Sequence, residues 1–393
     1  MSKETAASTL CIFVVAICCF VGCSEATDLN RTVPTVTLPE SEVLPGETDA
    51  TDVEAWKQFR GPNCEGICLE TGLMQSMPEG GPKLLWQAEG LGAGYSSVSI
   101  ADGHIYTMGD IDVDGSRKQC VIALDMQGKQ VWATPIGPRH NDGPRCTPTF
   151  DEGLLYVLGT DSDLVCLKAD SGEIVWQKNL ARDFGGKMMS VWKFSESPIV
   201  DGDMVLCTPG VADAGIVALN KKTGEEIWRC RLPDLGREGK DGAGYATIVP
   251  AEIDGVRQYI TMMGRGVVAC DAETGKFLWG YNRIANGTAN ITSPVVRGNY
   301  VFATTSYRTG SALVEVRKNG DRFDVKEIYF NGPDVFENHH GGVVIVGDYV
   351  YGGDGQNRGT PVCLDLKTGI PKWKVEPLGS RSAAVIYAEG QLF

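Results

Sequence analysis

Three of the four histidines lie where they could serve a metal or a binding site. His140 and Arg145 share one polar segment, and His339 and His340 are adjacent in another. An imidazole can bind a metal or exchange a proton near neutral pH. Neighbouring residues of a strand point to opposite faces, so a single ion would not readily take both His339 and His340. We therefore expect hydrogen-bonded structural histidines at this pair, with metal ligation as the alternative.

An acidic segment offers a second kind of chemistry. Asp110, Asp112 and Asp114 alternate along the chain and are followed by Gly115, as at the start of a calcium-binding loop. The twelfth position of such a loop is Val121 here, where the helix–loop–helix form has Glu. The segment therefore predicts a solvated hairpin loop, with a calcium site at the three aspartates as the alternative.

The elements that carry these residues repeat along the chain. Five segments share an apolar run, a short polar turn and a Gly that precedes a Trp by four residues. The five tryptophans are Trp132, Trp176, Trp228, Trp279 and Trp373. The step from Trp132 to Trp176 is 44 residues and the step from Trp176 to Trp228 is 52 residues, which is the period of propeller blades.

Each repeat also has a front half, in which two short β-branched runs flank a turn such as Asp102-Gly103. Such runs are hairpins, so one repeat holds four strands, and no stretch of useful length has a helical period. The sequence therefore predicts an all-β fold, a β-propeller of four-stranded blades. One blade cannot cover both of its faces, so we expect the recurring Trp to pack between neighbouring blades.

The ends of the repeat region are incomplete copies. Residues 84–87 look like the last strand of a further blade, and residues 388–393 match the second strand of a blade in phase. A chain that stopped there would leave bare strand edges. We therefore expect the sequence to be a C-terminally truncated part of a longer propeller.

Polar loops on one face of the propeller form the candidate binding face. The loops that leave an outer strand and those that join the two hairpins of a blade open on the same side, around the central channel. The candidates on this face are Tyr95, His140, Arg145, Trp192, Glu196, Tyr245, Asn290, His339, His340 and Asp354. The alternative is that these residues only decorate long surface loops.

The first 55 residues predict export and anchoring. A short apolar run ends in Val21-Gly22-Cys23 and reads as a lipoprotein signal peptide over residues 1–23, with Cys23 lipidated; an ordinary signal peptide is the alternative. Residues 24–55 carry eight acids against one Arg and predict a disordered tether. We expect the periplasmic side of the envelope, and the outer membrane rather than the inner. The net charge of −14 excludes nucleic acid as a partner, and contact with the membrane is expected through the lipid alone.

The repeat pattern Ala-Leu-Asp-x-x-Thr-Gly-x-x-x-Trp, which is nearly complete from Ala269 to Trp279, resembles the repeat of pyrroloquinoline-quinone (PQQ) enzymes. That repeat occurs in quinoprotein alcohol dehydrogenases and in the outer-membrane assembly lipoprotein of the barrel-assembly machinery. The resemblance covers residues 56–393. The opening from Trp56 to Asn63 is similar to a group of bacterial PQQ-like proteins, abundant in planctomycetes, that is labelled polyvinyl-alcohol dehydrogenase. The resemblance implies eight blades in the full protein.

Two functions are compatible with this resemblance. The favoured one is a non-catalytic module in the envelope that presents its channel face to a protein or polymer. The alternative is an alcohol dehydrogenase with PQQ on a calcium ion, for which Trp192, Glu196, Asn290 and Asp354 are the available candidates. Quinoprotein dehydrogenases use two adjacent disulfide-bonded cysteines, whereas the one adjacent pair here, Cys18-Cys19, lies in the leader. PQQ and calcium are therefore not assigned with certainty.

Overall fold

The computed structural model describes residues 56–74, 76, 78–79, 81–375 and 381–393. The predicted signal peptide with Cys23 and the predicted tether at 24–55 lie outside these residues. Across the described ranges, no helix combines the length and the apolar character that crossing a bilayer requires.

The described chain is almost entirely β-structure, arranged as successive sheets of sequential strands. Six sheets have four antiparallel strands each, and a seventh has three strands. The first sheet has β2 (Ser99–Ala101), β3 (His104–Val113), β4 (Ser116–Asp125) and β5 (Gln130–Pro138). The second has β6 (Thr149–Asp151), β7 (Leu154–Leu158), β8 (Asp163–Lys168) and β9 (Ile174–Asn179), and is followed by α1 (Leu180–Phe184). The third has β10 (Ile199–Asp201), β11 (Met204–Cys207), β12 (Val217–Asn220) and β13 (Glu226–Arg229).

The remaining sheets follow the same order. The fourth has β14 (Val249–Ile253), β15 (Val256–Met263), β16 (Gly266–Asp271) and β17 (Phe277–Tyr281). The fifth has β18 (Val295–Arg297), β19 (Tyr300–Thr305), β20 (Gly310–Asn319) and β21 (Arg322–Asn331). The sixth has β22 (Val343–Val346), β23 (Tyr349–Asp354), β24 (Thr360–Asp365) and β25 (Pro371–Lys374). The seventh joins β1 (Ile67–Cys68) to β26 (Tyr387–Ala388) and β27 (Gln391–Leu392). This architecture confirms the predicted propeller of four-stranded blades.

The backbone geometry of the turns in the front hairpins explains why Asp-Gly sequences occur there. Asp102 and Gly103 both have positive φ, at 47° and 70°, and the pairs Glu152-Gly153 and Asp254-Gly255 repeat this geometry. Two consecutive left-handed residues form a type I′ turn, whose twist matches that of the strands on either side. An acidic residue followed by Gly therefore sets the register of the front hairpins in the first, second and fourth sheets.

Tryptophan–glycine contacts join the first sheet to the second, the second to the third and the third to the fourth. A Cβ on Gly172 would meet the ring of Trp132 at 2.6 Å, and a Cβ on Gly224 would meet that of Trp176 at 2.9 Å. The indole nitrogen of Trp176 also donates to the carbonyl of Lys221 in the next sheet, at 3.0 Å. Each of these recurring turn glycines thus leaves room for the Trp of the preceding sheet.

The same contact accounts for two departures from the repeat. Residues 84–87 form no strand, but Trp86 packs on Gly128 as the tryptophans of the blades do on their glycines. Tyr329 replaces Trp in the fifth sheet and packs on Gly369. In the seventh sheet β26 pairs with β27 on one side and with β1 on the other, where Ile67 lies parallel to Tyr387, and residues 84–87 take no part in this ladder. The preference for eight blades concerns a longer chain and stays a prediction.

A ladder of hydroxyl groups links the segments just before the inner strands. The backbone N–H of Thr147 donates to Ser197 Oγ at 2.9 Å, and that of Ser197 donates to Thr247 Oγ1 at 3.2 Å. The N–H of Thr247 donates in turn to Ser293 Oγ at 3.0 Å. Because these residues are buried, each bond satisfies a backbone N–H group that has no access to water.

The N-terminal segment from Trp56 to Cys68 binds sheets from both ends of the chain. The carbonyl of Trp56 accepts from Ile100 N of β2, and that of Lys57 accepts from Phe150 N of β6, both at 2.8 Å. The guanidinium of Arg60 donates to the carbonyl of Val343 in β22. Since Cys68 lies in β1 of the seventh sheet, this one segment holds early and late sheets together.

Candidate functional site

The candidate site lies at one end of the sheets, which we call the mouth. Strands alternate in direction, so connections from a fourth strand to the next first strand share an end with connections between second and third strands. Turns such as Asp102-Gly103 and the Thr-Gly turns lie at the opposite end. The sheets therefore bring loops from distant parts of the chain together at the mouth.

Aromatic rings from four loops converge there. The ring centroid of Trp192 lies 6.2 Å from that of Tyr245 with the planes at 73°, and 6.4 Å from that of Tyr307 with the planes at 27°. The ring of Tyr307 meets that of His339 at 5.2 Å in an edge-on arrangement. Edge-to-face pairs at these separations are favourable for aromatic rings. These residues, together with Tyr95, Arg145 and His340, are called the mouth cluster below.

The two adjacent histidines are held by neutral partners. Within the described chain, His339 Nε2 lies 3.0 Å from the Tyr307 hydroxyl, and its Nδ1 lies 3.1 Å from Asn357 Oδ1. Ser382 Oγ lies 3.2 Å from His339 Nδ1 and 3.3 Å from His340 Nδ1. The imidazole centroids of His339 and His340 are 3.5 Å apart. Both rings thus meet hydroxyl and amide groups instead of charged ones.

Protonation of this pair is disfavoured. Burial lowers the pKa of His339. The pKa of His340 is lowered to about 4 by desolvation within the mouth, and then by the positive charges of His339 and Arg145. Both imidazoles are therefore neutral at pH 7.

Arg145 connects two loops of the mouth cluster. Its Nη1 donates to the carbonyl of Trp192 at 3.0 Å, and its Nη2 forms an ion pair with Asp142 Oδ2 at 2.9 Å. The guanidinium carbon lies 6.0 Å from the ring centroid of Tyr95, which is 65% exposed. Arg145 thus fixes the backbone beside Trp192, and Asp142 balances its charge.

Tyr95 and Tyr245 occupy equivalent positions in two sheets. The backbone N–H of Tyr95 donates to the carbonyl of Pro144, and that of Tyr245 donates to the carbonyl of Asn290, both at 2.8 Å. The hydroxyl of Tyr245 lies 2.7 Å from Ser190 Oγ. Burial raises the pKa of Tyr245, so the phenol is neutral. The Gly-Ala-Gly segment before each Tyr therefore carries the same loop geometry.

Glu196 lies in the wall below the mouth. Its side chain is 4% exposed, and its Oε1 accepts from Thr208 N at 2.5 Å. Ser96 Oγ and Cys146 Sγ accept from the backbone N–H twelve residues further along in the first and second sheets. Glu196 therefore fills a position that is structural in the neighbouring blades. Burial raises its pKa to about 7.

Asn290 and Asp354 are also engaged by the framework. The Nδ2 of Asn290 donates to the carbonyls of Met263 at 2.9 Å and Gly264 at 3.2 Å. Asp354 Oδ1 accepts from the backbone N–H of Glu337 at 2.9 Å, and its Oδ2 pairs with Lys374 Nζ at 2.5 Å. These polar groups hold loops to strands.

His140 lies in the same connection as Arg145. Its backbone N–H donates to Asp110 Oδ2 at 2.9 Å, and its Nδ1 accepts from Asp142 N at 3.4 Å. Because Asp142 also pairs with Arg145, His140 adjoins the mouth cluster through this carboxylate.

The three alternating aspartates form a hairpin and no calcium loop. The ladder between β3 and β4 is continuous from Asp110 to the pair of Val113 and Ser116, so no loop is left to wrap an ion. Asp110 is buried, and Asp112 Oδ1 accepts from Gly115 N at 2.9 Å. In the part of the chain that the structure describes, no three His, Cys, Asp or Glu side chains form a group that could hold a metal.

The described residues do not fit a PQQ–calcium centre. The carboxylates and amide available for the metal already bond to backbone groups or to Lys374. The nine cysteines in the described ranges are all free, and no two are adjacent in sequence. The adjacent pair Cys18-Cys19 lies outside these ranges. We therefore derive no oxidation chemistry through PQQ.

Sequence reasoning missed four members or neighbours of the mouth cluster, namely Tyr307, Ser190, Asn357 and Ser382. Tyr307 lies between the second and third strands of its sheet, with a φ of 59°. Because such loops open at the mouth, the position of Tyr307 in the repeat could have indicated that it belongs to the cluster. The other three are small polar residues, whose role becomes visible only when distant loops meet.

Comparison with known proteins gives two groups of relatives. A family model described as outer membrane protein assembly factor BamB matches residues 117–375. The BamB protein of Burkholderia pseudomallei (strain K96243) is 27% identical over 371 residues, covering 88% of this chain and 86% of that protein. A quinoprotein ethanol dehydrogenase of Pseudomonas aeruginosa is 29% identical over 149 residues, covering 37% of this chain and 20% of that protein. The chain thus spans about a fifth of the dehydrogenase it matches.

A solved structure supports the fold. The quinohemoprotein alcohol dehydrogenase from Comamonas testosteroni superposes with a TM-score of 0.56 at 15% identity, covering 86% of this chain and 70% of that chain. At this identity the likeness concerns the fold alone. The family model, in contrast, matches well over half of the sequence. The chain therefore belongs to the PQQ-like repeat family described as outer membrane protein assembly factor BamB.

Proposed function

We propose that this protein is a non-catalytic binding module of the cell envelope, which presents its mouth to a protein or polymer. The observation that carries the proposal is the mouth cluster, where Trp, Tyr and Arg side chains from separate loops meet at a surface. These residue types dominate the binding energy of interfaces, since each buries a large area at a small cost in side-chain entropy. Tyr95 and Val191, exposed by 65% and 77%, extend the surface outward.

The carboxylates support binding over catalysis. A general base needs a carboxylate within reach of a substrate, whereas Glu196 is buried in the wall and Asp354 is paired with Lys374. Similarity to BamB over most of both chains favours the same reading. The alternative, a PQQ-dependent alcohol dehydrogenase, draws on the shorter similarity to quinoprotein dehydrogenases.

Export and anchoring belong to the same proposal. We infer that cleavage of the lipoprotein signal peptide before Cys23 leaves Cys23 as the lipidated N-terminus, and that residues 24–55 hold the propeller away from the outer membrane. Mass spectrometry of the protein from membranes should find Cys23 as a diacylated N-terminus. A Cys23→Ser variant is expected in the soluble periplasmic fraction. Recovery of that variant with membranes to the same extent would contradict lipid anchoring.

Affinity capture tests the binding role. The protein is retrieved from cross-linked envelopes, and Trp192→Ala is compared with Ile370→Ala, which changes an exposed apolar residue on the opposite end. We expect Trp192→Ala to lose the captured envelope component and Ile370→Ala to retain it. Equal capture by both variants would contradict a binding role of the mouth.

Reconstitution separates this proposal from the enzyme alternative. The purified protein is incubated with PQQ and calcium, desalted, and assayed for dye reduction with an alcohol. We expect neither a retained quinone absorbance nor activity. Retained PQQ with alcohol-dependent dye reduction would establish the dehydrogenase instead.

A further inference from the structure

The mouth cluster carries almost no net charge, although the whole chain has a net charge of −14. Arg145 is balanced by Asp142, and both imidazoles are neutral at pH 7 because their pKa values are lowered. Burial raises the pKa of Tyr307, so its phenol is neutral as well. A phosphate, a carboxylate or an ammonium group would find no unbalanced partner here. The electrostatics therefore favour a neutral ligand.

The rings in the cluster offer apolar faces in two orientations. Trp192 and Tyr307 are inclined by only 27°, while Tyr245 stands at 73° to Trp192. A cavity of about 260 Å³ adjoins these rings at Ser190, whose hydroxyl bonds to Tyr245. Its lining combines apolar and hydroxyl side chains, among them Phe194 and Thr160, with Asp161 and Lys193, whose opposite charges form an ion pair at 2.9 Å. A ligand can thus lie against flat rings and place a substituent beside them.

Neutral hydrogen-bonding groups surround these faces. Ser190 and Tyr245 supply hydroxyls on one side. On the other side, His340 engages Ser382 through Nδ1, which leaves Nε2 on an exposed side chain for a ligand. Aromatic faces bordered by neutral donors and acceptors complement a molecule with apolar faces and polar edges. A pyranose ring is such a molecule, since its C–H groups form the faces and its hydroxyls the rim.

We propose that the mouth cluster binds a neutral glycan chain, with one sugar ring against Trp192 and a neighbouring ring against Tyr245. This inference rests on the proposed function, because it names the polymer that the mouth receives. The cavity beside Ser190 would take a substituent of the first ring, such as an acetamido group. A protein ligand is the other outcome that the experiment distinguishes.

Titration calorimetry with the purified lipid-free mature chain tests the inference. The probes are chitohexaose and cellohexaose, which share the neutral pyranose backbone and differ in the acetamido group. We expect saturable binding of at least one, with quenching or a shift of tryptophan fluorescence. Trp192→Ala should weaken binding about tenfold, which corresponds to the loss of about 1.4 kcal/mol from one stacked ring. Ile370→Ala should bind as the unchanged protein does.

Two results overturn the inference. The first is the absence of heat with both hexasaccharides at millimolar concentration, from protein whose unfolding midpoint is normal. The second is equal affinity of the Trp192→Ala variant. Tyr245→Phe provides a milder variant that keeps the ring and removes only the bond to Ser190, in case Trp192→Ala does not fold. If the glycans fail while affinity capture through Trp192 still retrieves a protein, the glycan inference falls and the binding role stands.

Discussion

At the scale of single residues, Glu196 shows how a buried position of the repeat takes an ionisable side chain. The same wall position holds Ser96 in the first sheet and Cys146 in the second, and each accepts one backbone N–H. Burial raises the pKa of Glu196 to about 7. Its titratable neighbours are the Cys146 and Cys207 thiols, whose pKa values burial also raises, so no nearby cation stabilises the carboxylate.

This predicts a pH-dependent penalty that Glu196→Gln removes. The folded state holds the proton more tightly than the unfolded chain, whose Glu has a pKa near 4.5. Protonated Glu196 therefore adds up to about 3 kcal/mol to the free energy of unfolding. This contribution is complete below pH 4.5 and is lost as the pH rises through 7. Glutamine does not titrate and can still accept from Thr208 N. Thermal unfolding is measured for both proteins at pH 5 and pH 8. Between pH 5 and pH 8, the Tm of Glu196→Gln should rise relative to the Tm of the unchanged protein. Parallel pH profiles of the two proteins would refute the assignment.

At the scale of elements, the contact between a Trp and the Gly of the next sheet is the recurring joint. Its sequence signal was strong, because Gly and Trp keep their spacing in every clear repeat, and the Asp-Gly turns fixed the hairpins just as directly. Trp279 differs from the others. Its indole nitrogen donates to Gln258 Oε1 within its own sheet at 2.8 Å, because the long hairpin of β20 and β21 offers no glycine in that place.

A pair of glycine substitutions in the third sheet tests this joint. Gly202 and Gly224 have positive φ values of 59° and 71°, so alanine strains the backbone at both, by about 1–2 kcal/mol. Only at Gly224 does the added Cβ also meet Trp176. We expect Gly224→Ala to lower the free energy of unfolding by about 1–3 kcal/mol more than Gly202→Ala in denaturant titrations. Equal losses would show that the contact with Trp176 adds nothing.

The mouth cluster was less predictable at this scale. The sequence analysis predicted a set of candidates that includes Tyr95, Arg145, Trp192, Tyr245 and the two histidines, because aromatic, Arg and His residues are conspicuous in polar loops. Periodicity says which end of the sheet a loop occupies but does not say which side chains meet. For that reason the sequence did not distinguish His140, which adjoins the cluster through Asp142, or Glu196, Asn290 and Asp354, which bond to the framework, from the residues whose rings meet at the mouth. The side chains that complete the cluster come from residues more than a hundred positions apart.

At the scale of the whole molecule, the segment from Trp56 to Cys68 holds the early and late sheets together. The repeat pattern did not predict this role, because the segment lies outside the repeats. Arg60 is its partly buried anchor, with bonds to the carbonyls of Glu65 at 2.8 Å and of Val343. Burial lowers the pKa of the guanidinium to about 10, so it stays charged at pH 7. Hydrogen bonds from a buried charged group contribute about 1.5–3 kcal/mol each.

Replacement of Arg60 therefore tests how the propeller is held closed. We expect Arg60→Met to lower the free energy of unfolding by about 3 kcal/mol and to reduce the cooperativity of the transition. Arg322→Met, at an exposed hairpin turn, should change it by no more than about 0.5 kcal/mol. Urea unfolding monitored by tryptophan fluorescence measures both. A small effect of Arg60→Met would mean that the segment adds little to closure.

Site-specific photo-cross-linking in living cells tests the binding role of the mouth most directly. A photoreactive amino acid replaces Tyr95 at the mouth or Lys222 at a turn on the opposite end, both of which are exposed. Our account predicts a discrete cross-linked product from position 95 that disappears when Trp192→Ala is added, and none from position 222. Cross-links from position 222 alone, or identical products from both positions, would contradict the account.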